Sequence, residues 1–251
     1  VLVALVIGLL FVVEAVAILV ATSGHPTYPL DDPYIHLALS DRIRHGHYGI
    51  NPGEVATPSS SVLWPFLLAP TAGTVLHAAT PLAINLVATL ATGWLLLRLL
   101  ADVTDGRSRR RPALAASLVA GPLLLLNWGA VAFTGMEHSA HITASLAVGV
   151  GLVEVACTGT VPWWLVAGLV LGPSLRYEGL AVTVAGAAVL CWEGRRRTAL
   201  LAVPVAVLPW SRSPSSLRRT ASTSCRARCS SSQRWPADRA WAPSWPPWAM
   251  P

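Results

Sequence analysis

Apolar residues in this chain fall in long runs. They lack the alternation of half-buried strands and the one-sided period of soluble helices. The first run covers residues 1–22 and is interrupted only by Glu14. That is enough for the roughly 20 residues a membrane crossing needs. It lacks the basic start and short apolar core of a cleaved signal, so an uncleaved helix is expected. Residues 23–60 are polar and rich in His, Asp, Pro and Gly, and 61–79 are apolar but broken by Pro65, Pro70 and Gly73. Further apolar runs cover 81–100, 112–133, 139–157, 162–175, 179–192 and 198–210. The pattern predicts an all-α fold, a polytopic transmembrane helical bundle whose first outer loop, 23–80, carries an interfacial helix.

Arginine placement sets the expected topology. Arg107, Arg109, Arg110 and Arg111 form one cluster and Arg195, Arg196 and Arg197 another, and the positive-inside rule puts both in the cytoplasm. If 61–79 and 81–100 both crossed, the polar loop would share a side with the first cluster. With only 81–100 crossing, the loop is external and the proline-broken stretch lies at the interface. Residues 112–133 then cross outward as one segment, Thr134 to His138 turn at the outer face, and 139–157 return. Residues 162–175 and 179–192 flank Arg176-Tyr177-Glu178. At 14 residues each they make about 21 Å of helix against about 30 Å of hydrocarbon. Recruiting flanking residues, tilting little, and forming a hairpin that dips into the membrane all remain open.

Composition sharpens this picture. Of 251 residues 53% are hydrophobic and 12% charged, about half the usual charge, which excludes a disordered chain, a nucleic-acid-binding domain and an ordinary soluble enzyme. All 18 basic residues are Arg. Residues 1–210 hold 11 Arg against 11 acidic residues, whereas 211–251 hold seven Arg and only Asp238, so the net +6 belongs to the tail. That tail has ten Ser, six Pro and four Trp with a single Leu, and cannot bury enough apolar surface to fold. It reads as a basic segment on anionic lipid or as the product of a shifted reading frame. We favour the second, which divides the chain into a membrane region, 1–210, and a disordered tail, 211–251, with the protein truncated. Cys157, Cys191, Cys225 and Cys229 make no disulfide framework.

Candidate chemistry sits in the polar connections. Asp31 and Asp32 are adjacent carboxylates just beyond the first span, able to bind a hydroxyl, hold a cation or act as a general base. A solvated turn ahead of Pro33 explains them equally well. Glu137-His138-x-x-His141 places two imidazoles one helical turn apart, a metal pair only if further ligands such as Asp32, His36, His45 or His47 join them. A divalent metal ion is therefore the one cofactor to test, with Asp32, His138 and His141 as its candidate ligands. Glu14 reads as an interhelical polar contact.

Four segments together resemble a known family. They are Asp31-Asp32-Pro33-Tyr34-Ile35-His36 with His45 to Glu54, Thr57 to Trp64, Thr134 to His138, and Leu175 to Leu180. In order and sidedness these resemble the outer-face motifs of GT-C glycosyltransferases, multi-span enzymes such as the protein O-mannosyltransferases that take a sugar from a polyprenyl-phosphate lipid. The resemblance covers about residues 1–210 and lacks the family's later spans. It implies a polyprenyl-phosphate-linked sugar donor, a glycan or protein acceptor in the cell envelope, and a multi-pass cell-membrane location with the active face external. It implies that Asp31 deprotonates or orients the acceptor hydroxyl, with Asp32 as partner or metal ligand. Arg176 is the expected cation for the lipid phosphate, unless it merely pairs with Glu178. Ser59 and Ser60 either face a phosphate or only help cap the following helix. Glu137, His138 and His36 are expected to hydrogen-bond a sugar or the acidic loop.

Two other classes compete on the same sequence. A transporter or lipid flippase would show paired broken helices in two halves, and no internal repeat is visible. A non-catalytic membrane protein is the third reading, and is what a truncated chain would become.

Overall fold

A computed structural model describes residues 1–24, 27–49, 59–104 and 110–211. They form helices α1 (Leu2–Ala21), α2 (Asp32–Arg44), α3 (Trp64–Leu68), α4 (Thr80–Val103), α5 (Pro112–Leu125), α6 (Trp128–Phe133), α7 (His138–Thr158), α8 (Trp163–Leu175), α9 (Gly179–Trp192) and α10 (Arg196–Ser211). Two short 3-10 turns separate α3 from α4. No strand occurs among the described residues. Among the described residues three helices are long and apolar enough to cross a membrane: α1, α4 with its preceding turn, and α7. Outward-facing leucine and valine on α1, such as Leu5, Leu9, Val12 and Val16, form the continuous apolar surface that water-soluble proteins avoid.

The bundle has two halves. In the first, Val3, Ile7 and Phe11 of α1 pack on Val119 and Leu123 of α5 and on Trp128 and Phe133 of α6, with α4 alongside. In the second, Val148 and Val155 of α7 pack on Leu165 and Leu169 of α8, Leu190 of α9 and Ala199 and Ala202 of α10. Helices α4 and α7 join the halves and run parallel. Asn85 reaches the turn before α7, Thr92 Oγ1 lies 2.8 Å from Thr143 Oγ1, and Arg98 pairs with Glu154. Small residues permit the closest approaches: a Cβ on Gly168 would sit 2.5 Å from the Ala144 carbonyl oxygen.

This arrangement gives the molecule two chemically different ends. One holds the start of α4 and α7, the junction of α8 and α9, and the α2–α3 region. The other holds Arg98, Arg110, Arg111 and Arg195 to Arg197. There Arg195 Nη2 donates to the Gly159 carbonyl beyond α7.

Two expectations need correction. Residues 112–133 are not one helix: Asn127 adopts a left-handed conformation (φ 50°) and splits the run into α5 and α6. The 23–60 loop is not merely polar coil, because Asp32 and Pro33 start α2 and Arg42 and Arg44 lie in its last turn. Pro33, His36, Leu39 and Ser40 form its buried face. Residues 61–79, expected at the interface, stay at one end, where Trp64 and Leu68 pack with Ala144 and Leu175. Asn51 to Thr57, the Arg107 and Arg109 part of the first cluster, and the tail from 212 onward lie outside the described residues.

Candidate functional site

The site is built around Glu137, which precedes the first turn of α7 and is completely buried. Its position depends on the turn before it. Gly135 has φ +74° and lies against the Tyr28 ring, so a Cβ there would approach Tyr28 Cδ1 to 2.5 Å. Tyr28 is anchored in turn: its hydroxyl donates to the Ala78 carbonyl (2.5 Å) and its N–H to Tyr34 Oη (2.9 Å). Burial, with Tyr34 adding to it, raises the Tyr28 phenol well above its usual range, so it stays a neutral donor. From the other side Asn85, fully buried in α4, donates through Nδ2 to the carbonyls of Ala132 (2.7 Å) and Met136 (3.1 Å).

Around Glu137 four predicted residues converge. Ser60 Oγ donates to Oε1 at 3.2 Å, and Arg176 Nη1 donates to the same oxygen at 3.2 Å. His36 Nε2 stands 3.7 Å from Oε2, close enough for electrostatic attraction but too far for a hydrogen bond. His138 Nε2 lies 3.4 Å from Arg176 Nη1. Burial pushes the His36 imidazole below its ordinary value, against the opposing pull of Glu137 and Asp32. The imidazole is therefore neutral at neutral pH. Three buried atoms at this cluster have no hydrogen-bond partner among the described residues: His36 Nδ1, Glu137 Oε2 and His138 Nδ1. Each of the three can make one further hydrogen bond.

Arg176 follows α8, where Pro173 sits inside the last turn and the chain becomes extended (φ −151°, ψ 141°). Its fork is bidentate on Glu178, with Nε to Oε2 at 3.2 Å and Nη2 to Oε1 at 3.0 Å. Those bonds raise Arg176 above its usual value and hold the Glu178 carboxyl down at about 2. The local pair and the buried contact to Glu137 thus coexist.

The serines divide the work differently from the expectation. Ser61 Oγ accepts the Trp64 N–H at 3.0 Å and so caps α3, while Ser59 Oγ donates to the Ser61 carbonyl at 2.7 Å. Ser60 is the one turned to the acidic centre. The Leu63 N–H bonds the Ser174 carbonyl at 2.9 Å, tying this segment to the α8 end that carries Arg176. Asp31 and Asp32 stand exposed at the start of α2, one helical turn before His36.

Of the candidate metal ligands, His141 Nδ1 lies 3.3 Å from the Gly172 carbonyl oxygen and His138 Nε2 faces Arg176. Among the described residues no group of three or more His, Cys, Asp or Glu is placed to hold a metal ion.

Beside the site an apolar groove of about 540 Å³ opens between α4, α7 and α8. It begins at Leu63 and Leu175, next to Ser61 and Arg176, and ends at Trp94, Trp163 and Trp164. Along α8 that is the full 13 residues, about 18 Å from first to last. No family model, curated protein or solved structure matches the chain, so the constellation stands on its own geometry.

Proposed function

We propose that this chain is a multi-pass membrane glycosyltransferase, or part of one, that moves a sugar from a polyprenyl-phosphate donor to a cell-envelope acceptor at the outer face. One observation carries the reading: an arginine fork and a buried acid meet at the mouth of a long apolar groove. A lipid-linked substrate needs that combination, an isoprenoid chain in the groove and its phosphate at the polar mouth. The arginine-rich end lies at the opposite end of the bundle, which under the positive-inside rule supports an outer-face position for the site.

The fork on Arg176 supports a role at phosphate. Glu178, 44% exposed, holds the two N–H groups that a phosphate would take, and it can leave for water at little cost. Glu137 keeps the guanidinium aimed during that exchange. In the reaction, the Asp31 carboxylate takes the proton of the acceptor hydroxyl, whose oxygen attacks the anomeric carbon. The bond from that carbon to the lipid phosphate oxygen breaks, and the departing phosphate keeps the electron pair beside Arg176. One displacement inverts the configuration.

The test is transfer of labelled sugar from a polyprenyl-phosphate donor by the protein in proteoliposomes. Asp31→Asn should abolish turnover while donor binding persists, because a base acts in the transition state. Arg176→Ala should weaken donor binding as well. Full turnover by Asp31→Asn, or unchanged donor binding by Arg176→Ala, would remove those roles. No transfer by the unaltered chain, with no donor bound, would remove the reading itself.

A further inference from the structure

At the opposite end of the molecule, α4 and α5 diverge and leave an open groove of about 580 Å³. Its walls include Leu100 and Val103 of α4 and Leu114 and Leu118 of α5, and its rim carries Arg110 and Arg111. Both arginines are exposed, and neither guanidinium has a hydrogen-bond or ion-pair partner among the described residues. The nearby acid Asp102, on the last turn of α4, does not line the groove. The wall residues are no ordinary surface: Val103 is 71% exposed and Leu118 52%. Helix α5 adds no negative charge, having no acidic residue in its first turn.

We infer that this groove is a binding site for an anionic phospholipid, its phosphodiester held by Arg110 and Arg111 and an acyl chain laid on Leu100, Val103, Leu114 and Leu118. Charge complementarity selects the occupant. Two exposed guanidinium groups, unpaired among the described residues, call for an anion, and the apolar walls directly beneath call for a hydrocarbon chain attached to it. A free phosphate would leave those walls uncovered. The level also fits, because Val103 ends a helix long enough to span, so the arginines stand at headgroup height. The site is independent of the transferase centre, lying at the other end of α4.

The experiment is native mass spectrometry of the full chain in neutral detergent with phosphatidylglycerol or phosphatidylcholine added. The unaltered protein should retain phosphatidylglycerol preferentially. R110Q/R111Q should lose about 25-fold of that preference, roughly fivefold per arginine. R196Q/R197Q, which removes equal charge from the same end on α10, should keep it. Equal retention by R110Q/R111Q, equal loss by R196Q/R197Q, or no preference in the unaltered chain would each overturn the site. Should R110Q/R111Q fail to fold, phosphatidylglycerol with a photoreactive acyl chain decides the matter on the unaltered protein. Label on the end of α4 and the start of α5 supports the groove, and label confined to other helices overturns it.

Discussion

Two arginine–carboxylate pairs flank α7, one at each end, and they are built to different purposes. At the arginine-rich end, Arg98 Nη2 meets both oxygens of Glu154 at 3.1 and 3.2 Å, and its guanidinium carbon lies 5.2 Å from the Trp164 ring centre. That pair involves one carboxylate and one aromatic face, with a third of the arginine side chain exposed. At the other end Arg176 is shared between Glu178 and a wholly buried Glu137, itself touched by Ser60 and faced by His36. The first pair ties α4 to α7. The second gathers Ser60, His36 and Arg176 around one wholly buried carboxylate.

The largest break in this comparison comes from Glu137. Glu137→Leu leaves Arg176 without its buried partner and should cost about 3–5 kcal/mol, read as a fall in the unfolding midpoint of the solubilised protein. Glu154→Leu, at a partly exposed pair, should cost about 1 kcal/mol. Equal losses at the two ends would mean that the burial difference has no energetic consequence. Glu137→Gln is the sharper version, since it keeps the shape and the Ser60 contact but removes the charge. It should reduce transfer more than it reduces stability.

Backbone packing gives the next effect. A Cβ on Gly179 would run into the Gly172 carbonyl group, coming within 2.5 Å of its oxygen and 2.7 Å of the Pro173 nitrogen. Those are main-chain atoms of the α8–α9 hairpin and cannot swing aside. Gly179→Ala should therefore cost about 1–3 kcal/mol and misplace Arg176, lowering donor affinity with it. Gly149, on the same α7 that carries Glu137 and Glu154, has open space around it, and Gly149→Ala should be neutral or stabilising by up to about 1 kcal/mol. If both substitutions behave alike, close approach is not what positions the arginine.

Much of the helical frame is legible in the sequence, because an apolar run long enough to bury or cross has few alternatives to a helix. Helices α1, α7, α8, α9 and α10 begin and end within about two residues of the predicted runs, and α4 extends three residues past its own. What escapes is local. Helix α2 lies in a polar stretch whose buried face includes Pro33, His36 and Ser40, residues that a hydrophobicity reading counts as solvent-facing. The Asn127 break follows from one backbone conformation and leaves the apolar run unmarked. At the site, Glu137, His36, Ser60, Arg176 and Glu178 are readable as polar residues in the right connections, but their supports are not. Asn85, a lone amide inside an apolar run, was the available signal for a buried interhelical contact. Tyr28 and Gly135 carry no such signal, since the ring-on-glycine contact joins segments far apart in the chain.

Acidity distinguishes the ends more gently. The folded chain holds the His36 imidazole below its ordinary value of about 6.5, so the unfolded chain takes up the proton first. His36 therefore contributes stability that is fully present above about pH 6.5 and falls away as the pH drops towards its folded value. Melting curves of His36→Gln should lose that dependence, whereas Glu154→Gln at the far end should retain it. A slope that survives in His36→Gln would assign the titration to another group.

The smallest effect concerns Glu178, the outer arm of the arginine fork. Its folded value of about 2 lies below the ordinary 4.5, so its contribution is complete above about pH 4.5 and disappears between there and 2. Because the side chain is 44% exposed, water and salt screen the pair, and Glu178→Gln should cost only about 0.5 kcal/mol. The same exposure makes the arm exchangeable. Raising the salt to 1 M shortens screening to about 3 Å and should erase the Glu178 contribution while leaving that of buried Glu137 nearly intact. Donor phosphate should do the same through competition, so Glu178→Gln should hold the donor as tightly as the unaltered chain, or more tightly. A marked loss of donor affinity in Glu178→Gln would mean that this carboxylate must stay on Arg176 during binding. The fork would then be a fixed pair like Arg98 and Glu154, and the contrast between the two ends of α7 would rest on Glu137 alone.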